Sequence, residues 1–192
     1  MDNNAEFVRY VTRAIKELSP GAQYYFESSD SEIESINWTV AMPQPSISEI
    51  TQKVEELKTL DGLNAAKAQV VAALEERYRT AQAIRIVNGH TFIAPLWGST
   101  FNTDLVKKVN DAREYGIANL IFPDINGALQ VIEDVPYSEW KKFYDIAHVV
   151  SDQNFILKNR LLVQIQQAKS VGDLSQIDVD VFPEVQQIEL EL

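Results

Sequence analysis

The side chains able to do acid–base or metal chemistry are few and widely spaced. His90 and His148 are the only histidines, and neither has a second His or a carboxylate at a metal-motif spacing. His90 follows a turn glycine and reads as a hairpin side chain; a lone His is far short of the ligand set a metal site needs. His148 reads as a half-exposed residue on a long helix. Asp124 and Asn126 bracket a turn as calcium ligands do, but no Glu stands at the twelfth position, so turn formation explains both better. Asp178 and Asp180, at i and i+2, would share one face of an extended segment. A cation could bridge them there, or they could serve acid–base work, but no nucleophile or orienting base accompanies them. A solvated strand face is the preferred reading.

The remaining chemistry is excluded by residue type. The absence of cysteine removes disulfides, thiolate metal sites and Cys nucleophiles. There is no glycine-rich phosphate loop, Gly-x-Ser-x-Gly elbow or His-Glu-x-x-His. Trp38, Trp97 and Trp140 are scattered without a basic frame, which argues for core packing over base stacking. Seventeen basic against 28 acidic side chains give a net charge of −11, which repels nucleic acid and anionic lipid. With no run of eighteen apolar residues, no membrane insertion is expected. Met1-Asp2-Asn3-Asn4 lacks the basic and apolar regions of a secretory signal. The expectation is a non-enzymatic protein with no cofactor and no metal.

The elements that would hold these residues form an α+β chain in three parts. Residues 1–42 read as a helix–hairpin unit. Phe7, Val11, Ala14, Ile15 and Leu18 line one helical face, Ser19-Pro20-Gly21 stops it, and strand-like runs surround Tyr24 and Trp38. Residues 43–83 read as a helical connector able to form a coiled coil. Ser46 and Glu49 have capping-box spacing, and Ile50, Val54 and Leu57 share a stripe; Asp61-Gly62 leaves open whether this is one helix or two. Residues 84–192 read as hairpin, helix, hairpin, long helix. Asn88-Gly89 and Asn126-Gly127 mark the hairpin turns, and Asn102-Thr103-Asp104 can cap the intervening helix. The tail alternates apolar with acidic residues, so it is either strand-like or docks on a partner.

The longest periodic signal starts at Trp140. Steps of three and four give Trp140, Phe143, Ala147, Val150, Asn154, Leu157 and Leu161, a heptad stripe that predicts a seam facing partner protein. Asn154 at an a-type position either fixes register across a helix bundle or meets water where the helix rotates; both readings stay open. A second line, Ile146, Val149, Ile156 and Val163, predicts a helix covered on two sides. The expected partner interface is therefore Trp140, Phe143, Val150, Asn154, Leu157 and Leu161, with Ile50, Val54 and Leu57 on the connector.

The run from about Arg77 to Ala168 resembles a domain of unknown function found in tailed-phage tail-fibre and tail-fibre-assembly proteins. The resemblance rests on an Arg-rich helix end leading into Ile86-Val87-Asn88-Gly89-His90-Thr91-Phe92. It continues through a helix after Asn102-Thr103-Asp104, a hairpin at Asn126-Gly127, and the helix start Tyr137-Ser138-Glu139-Trp140. Ile93-Ala94-Pro95-Leu96-Trp97 departs from the more polar stretch that usually follows the Phe. Ser19 to Trp38 and the Pro-rich joint are similar to short accessory proteins encoded near phage fibre genes. The resemblance implies a structural component of a phage tail, in the fibre or baseplate, located in the virion tail and in host cytoplasm during assembly. Its partners would be other tail or fibre proteins in a homo- or hetero-oligomer, with no nucleic acid. The alternatives are a fibre-assembly chaperone absent from the finished virion and a carbohydrate- or receptor-binding fibre tip.

Overall fold

The structure, a computed structural model, describes residues 3–26, 33, 36–39, 43–86, 90–93, 100–123 and 126–191. It is an α+β chain dividing into two compact units, Met1–Ala66 and Lys67–Leu192. The division falls inside a single 35-residue helix, α2 (Ile47–Ala81). Asp61-Gly62 does not break it: a glycine inside a helix costs only about 1 kcal/mol. Residues 43–83 therefore do not stand apart as a connector. The first turns of α2 belong to one core, and its last turns carry buried residues of the other unit.

In the first unit, α1 (Asn3–Leu18) lays Tyr10, Val11, Ala14 and Ile15 against Ile50, Val54 and Leu57 of α2. Strands β1 (Tyr24–Phe26) and β2 (Ile36–Trp38) pair antiparallel, with Tyr24, Phe26, Ile36 and Trp38 covering that cluster. The predicted capping box is present. Glu49 N–H donates to Ser46 Oγ at 3.2 Å, and Ser46 N–H donates to Glu49 Oε2 at 2.7 Å, so two otherwise orphaned donors are satisfied. The Glu49 carboxyl is held below the usual range by the Ser46 hydroxyl and then by its backbone N–H. Arg13 Nη1 bonds Asp61 at 3.0 Å and Lys53 Nζ meets Glu17 at 3.1 Å, lacing α1 to α2.

In the second unit, β3 (Ala83–Ile86) runs between antiparallel β4 (His90–Ile93) and parallel β7 (Gln186–Ile188). The turn expected at Asn88-Gly89 lies outside the described residues. Helix α3 (Thr100–Tyr115) begins two residues before the expected cap and ends at Gly116, whose φ of +85° suits a residue without Cβ. Strands β5 (Ile117–Pro123) and β6 (Leu129–Pro136) form the predicted second hairpin, with Gly127 at φ +84°. The register slips where Asn119 faces Glu133 and Asp134; Asn119 Oδ1 accepts from the Asp134 N–H at 3.1 Å, a bulge that twists the strand. Helix α4 (Tyr137–Gln167) follows, then a single capped turn, α5 (Val171–Leu174). The tail is no strand over 177–182. Its last residues form β7, which carries Ile188 into the core, with Leu190 following.

Candidate functional site

Trp140, Phe143 and Ala147 sit in the core of the second unit with Ile84, Ile86, Leu120 and Ile188. The Trp140 indole N–H donates to the Ala118 carbonyl at 2.8 Å, which fixes the start of α4 against β5. Val150, Asn154 and Leu161 are buried as well, and Leu157 is half-buried. The stripe read as a seam for other subunits is thus taken up by the chain's own fold. The same correction holds for Ile50, Val54 and Leu57, which pack under α1. A heptad stripe reports that one helical face is covered; it does not say by which chain.

Asn154 bonds across a pair of helices, as one reading of the sequence has it, but within its own chain, and it does not meet water. It is fully buried, and its Nδ2 donates at 2.9 Å to the carbonyl of Ala81 in the last turn of α2. The last four carbonyls of a helix lack intrahelical donors, so Asn154 closes off the end of α2. Further contacts run α4 antiparallel to the end of α2. Lys158 Nζ pairs with Glu75 at 2.7 Å and lies 4.5 Å from the centre of the Tyr78 ring. Lys67 Nζ bonds the Gln166 carbonyl at 2.8 Å. As residue numbers fall along α2, they rise along α4.

A groove of about 570 Å³ opens on this helix pair, lined by Ala72, Glu75, Glu76, Tyr78, Arg79, Phe155 and Lys158. Its carboxylates are committed: Glu75 to Lys158, and Glu76 to Arg79 at 2.8 Å. Burial, and then the charge of Glu75, push the Tyr78 phenol up, so it stays protonated and neutral at ordinary pH. Behind Tyr78 the Phe182 ring packs at 6.1 Å, and Arg77 pairs with Asp180, so the tail is pinned across the end of α2. Asp178 and Asp180 do not lie on a strand, and each carboxylate has a partner of its own. Asp178 Oδ1 accepts the Asp180 N–H at 2.8 Å in a local turn, and Asp180 meets Arg77.

His148 packs against Tyr144 one turn earlier, with Nε2 2.7 Å from the hydroxyl. The His90 side chain, Asp124 and Trp97 lie outside the described residues. Among the described residues no three of His, Cys, Asp and Glu come together as a metal site, and no helix is long and apolar enough to cross a membrane. Compared with known proteins, the chain matches no family model, no curated protein and no solved structure.

The second apolar line also differs from expectation. Ile146 packs on the core, but Val149, Ile156 and Val163 are 48, 59 and 49% exposed on the outer face of α4. Their seven-residue spacing is legible in the sequence; their exposure is not. They form the longest apolar line the described part of the fold leaves bare on a helix. The β5–β6 hairpin also shows apolar side chains on its outer face, among them Ile121 opposite Val131.

Proposed function

We propose that the chain is a non-catalytic structural component of a bacteriophage tail, in the fibre or baseplate, that works by packing against other protein. The observation that carries this reading is the motif run from Arg77 to Ala168. Its Asn-Gly-His hairpin, capped helix, second Asn-Gly hairpin and acidic-aromatic helix start resemble tail-fibre proteins. The order of α2, β3–β4, α3, β5–β6 and α4 agrees with that run. Two further features support it. The carboxylates lining the α2–α4 groove are paired with bases instead of converging on a free reacting position. The outer face of α4 also leaves aliphatic side chains in water at a regular spacing.

Mass spectrometry of purified virions tests the proposal. The chain should be recovered at a copy number comparable to other tail proteins. Its absence from virions, with abundance in the infected cell, would replace the structural reading with that of an assembly chaperone.

A further inference from the structure

The geometry points to a second copy of this chain, antiparallel, as the partner of the outer face of α4. This deepens the proposed function and rests on its premise that the chain acts by packing. The line Val149, Ile156, Val163 repeats every seven residues over about 21 Å of helix at 1.5 Å per residue. It is flanked by two exposed charges, Asp152 and Arg160, each four residues from Ile156. At about 100° per residue, four residues return to within about 40° of the line, one on each side. Among the described residues neither charge has an ion-pair partner within its own chain.

The pattern is self-complementary in one orientation only. Around a two-fold axis at Ile156, an antiparallel copy sets Ile156 against itself and Val149 against Val163. It also brings Asp152 to the height of the second copy's Arg160, in the gap between aliphatic layers. With axes about 9 Å apart, the two Cβ atoms come to about 6 Å, which an Asp and an Arg side chain bridge. Both ion pairs form, as an isologous contact requires. A parallel copy would instead set Asp152 against Asp152 and Arg160 against Arg160, a like-charge arrangement that repels. The charges thus select both the partner and its direction.

The three aliphatic side chains expose roughly 300 Å² per copy, below the ~800 Å² per partner of a stable complex. The contact is accordingly weak between free chains and forms where local concentration is high, as on a multi-copy particle.

Charge exchange tests this in the full chain, because Asp152 and Arg160 are exposed and their replacement leaves the core untouched. Sedimentation equilibrium should show the wild type passing from monomer towards dimer as concentration rises. Asp152→Arg alone and Arg160→Asp alone should each reduce association at least tenfold. The double exchange should restore it, and so should mixing the two single variants, since each then meets its opposite charge. A wild type that stays monomeric up to millimolar concentration, or single variants that associate as the wild type does, overturns the inference. A mixture that associates more tightly than the wild type, with the wild type, the double exchange and both single variants alike, would indicate a parallel pair and also overturns it. Any of these failures leaves the virion measurement to decide the tail reading separately.

Discussion

Replacing Asn154 separates its role as a tether from its role as core filling. The Nδ2 group satisfies the Ala81 carbonyl, while its buried Oδ1 has no hydrogen-bond partner among the described residues. In Asn154→Ala the carbonyl loses its donor in a buried site, at about 1–3 kcal/mol, and the removed carboxamide leaves unfilled space worth about 1 kcal/mol more. The expected loss is about 3 kcal/mol. With a urea slope of about 2 kcal/mol/M, the midpoint falls by about 1.5 M with the slope unchanged. Asn154→Leu strands the same carbonyl but fills the space that Ala leaves, so about 2 kcal/mol is lost. Urea unfolding followed by far-ultraviolet circular dichroism distinguishes the two. An Ala variant within about 0.5 kcal/mol of wild type would refute the tether. A Leu variant as damaged as Ala would refute the cost assigned to the unfilled space.

Other consequences follow from local geometry. Ser46→Ala removes the acceptor for the Glu49 N–H at the start of α2 and should cost about 1 kcal/mol, read as a lower melting temperature. Gly62→Ala should stabilise the chain by about 0.5–1 kcal/mol in a thermal melt, because a Cβ there meets no heavy atom within 4 Å and the helix loses a flexible residue. Acid should weaken the first unit. Arg13 holds the Asp61 carboxyl below its usual range, and Lys53 does the same for Glu17. Folded values below the unfolded ones mean stability present above about pH 4 and lost as pH falls through the folded values. Melting temperatures between pH 7 and pH 3 should therefore fall less steeply for Asp61→Asn than for wild type, and equal slopes would contradict this.

Local signals carried much of the fold. Ser46 and Glu49 start α2 because two side chains three residues apart can satisfy each other's backbone donors, and Gly116 ends α3 because its backbone angle disfavours a Cβ. Nonlocal facts were harder to read. Strand β7 is three residues pairing in parallel with a strand about a hundred positions away, and so short a run has no periodicity to register it. The tail's anchor, Phe182 on Tyr78 with Asp180 on Arg77, depends on two segments meeting in space.

The interface was misplaced for a related reason. Both lines of α4 are apolar in the sequence. Trp140, Phe143 and Leu161 are covered because the sheets and helices of the same chain reach them, and Val149, Ile156 and Val163 are exposed because no described element covers them. Periodicity fixes the angle between two faces of a helix and leaves open which of them the fold consumes. The polar neighbours were the better clue: the exposed line carries Asp152 and Arg160 beside it, whereas the covered one carries Asn154, a residue that can be buried once its amide is bonded.

The absence of native cysteine makes one measurement direct. An Ile156→Cys variant presents a single thiol at the proposed two-fold axis, and a Leu161→Cys variant presents one that is buried within the chain. Under mild oxidation the account predicts rapid disulfide-linked dimer from Ile156→Cys, slowed by adding Asp152→Arg, and little from Leu161→Cys. Ile156→Cys remaining monomeric, or Leu161→Cys cross-linking as fast, would contradict the assignment of the inner face to the fold and the outer face to a second copy.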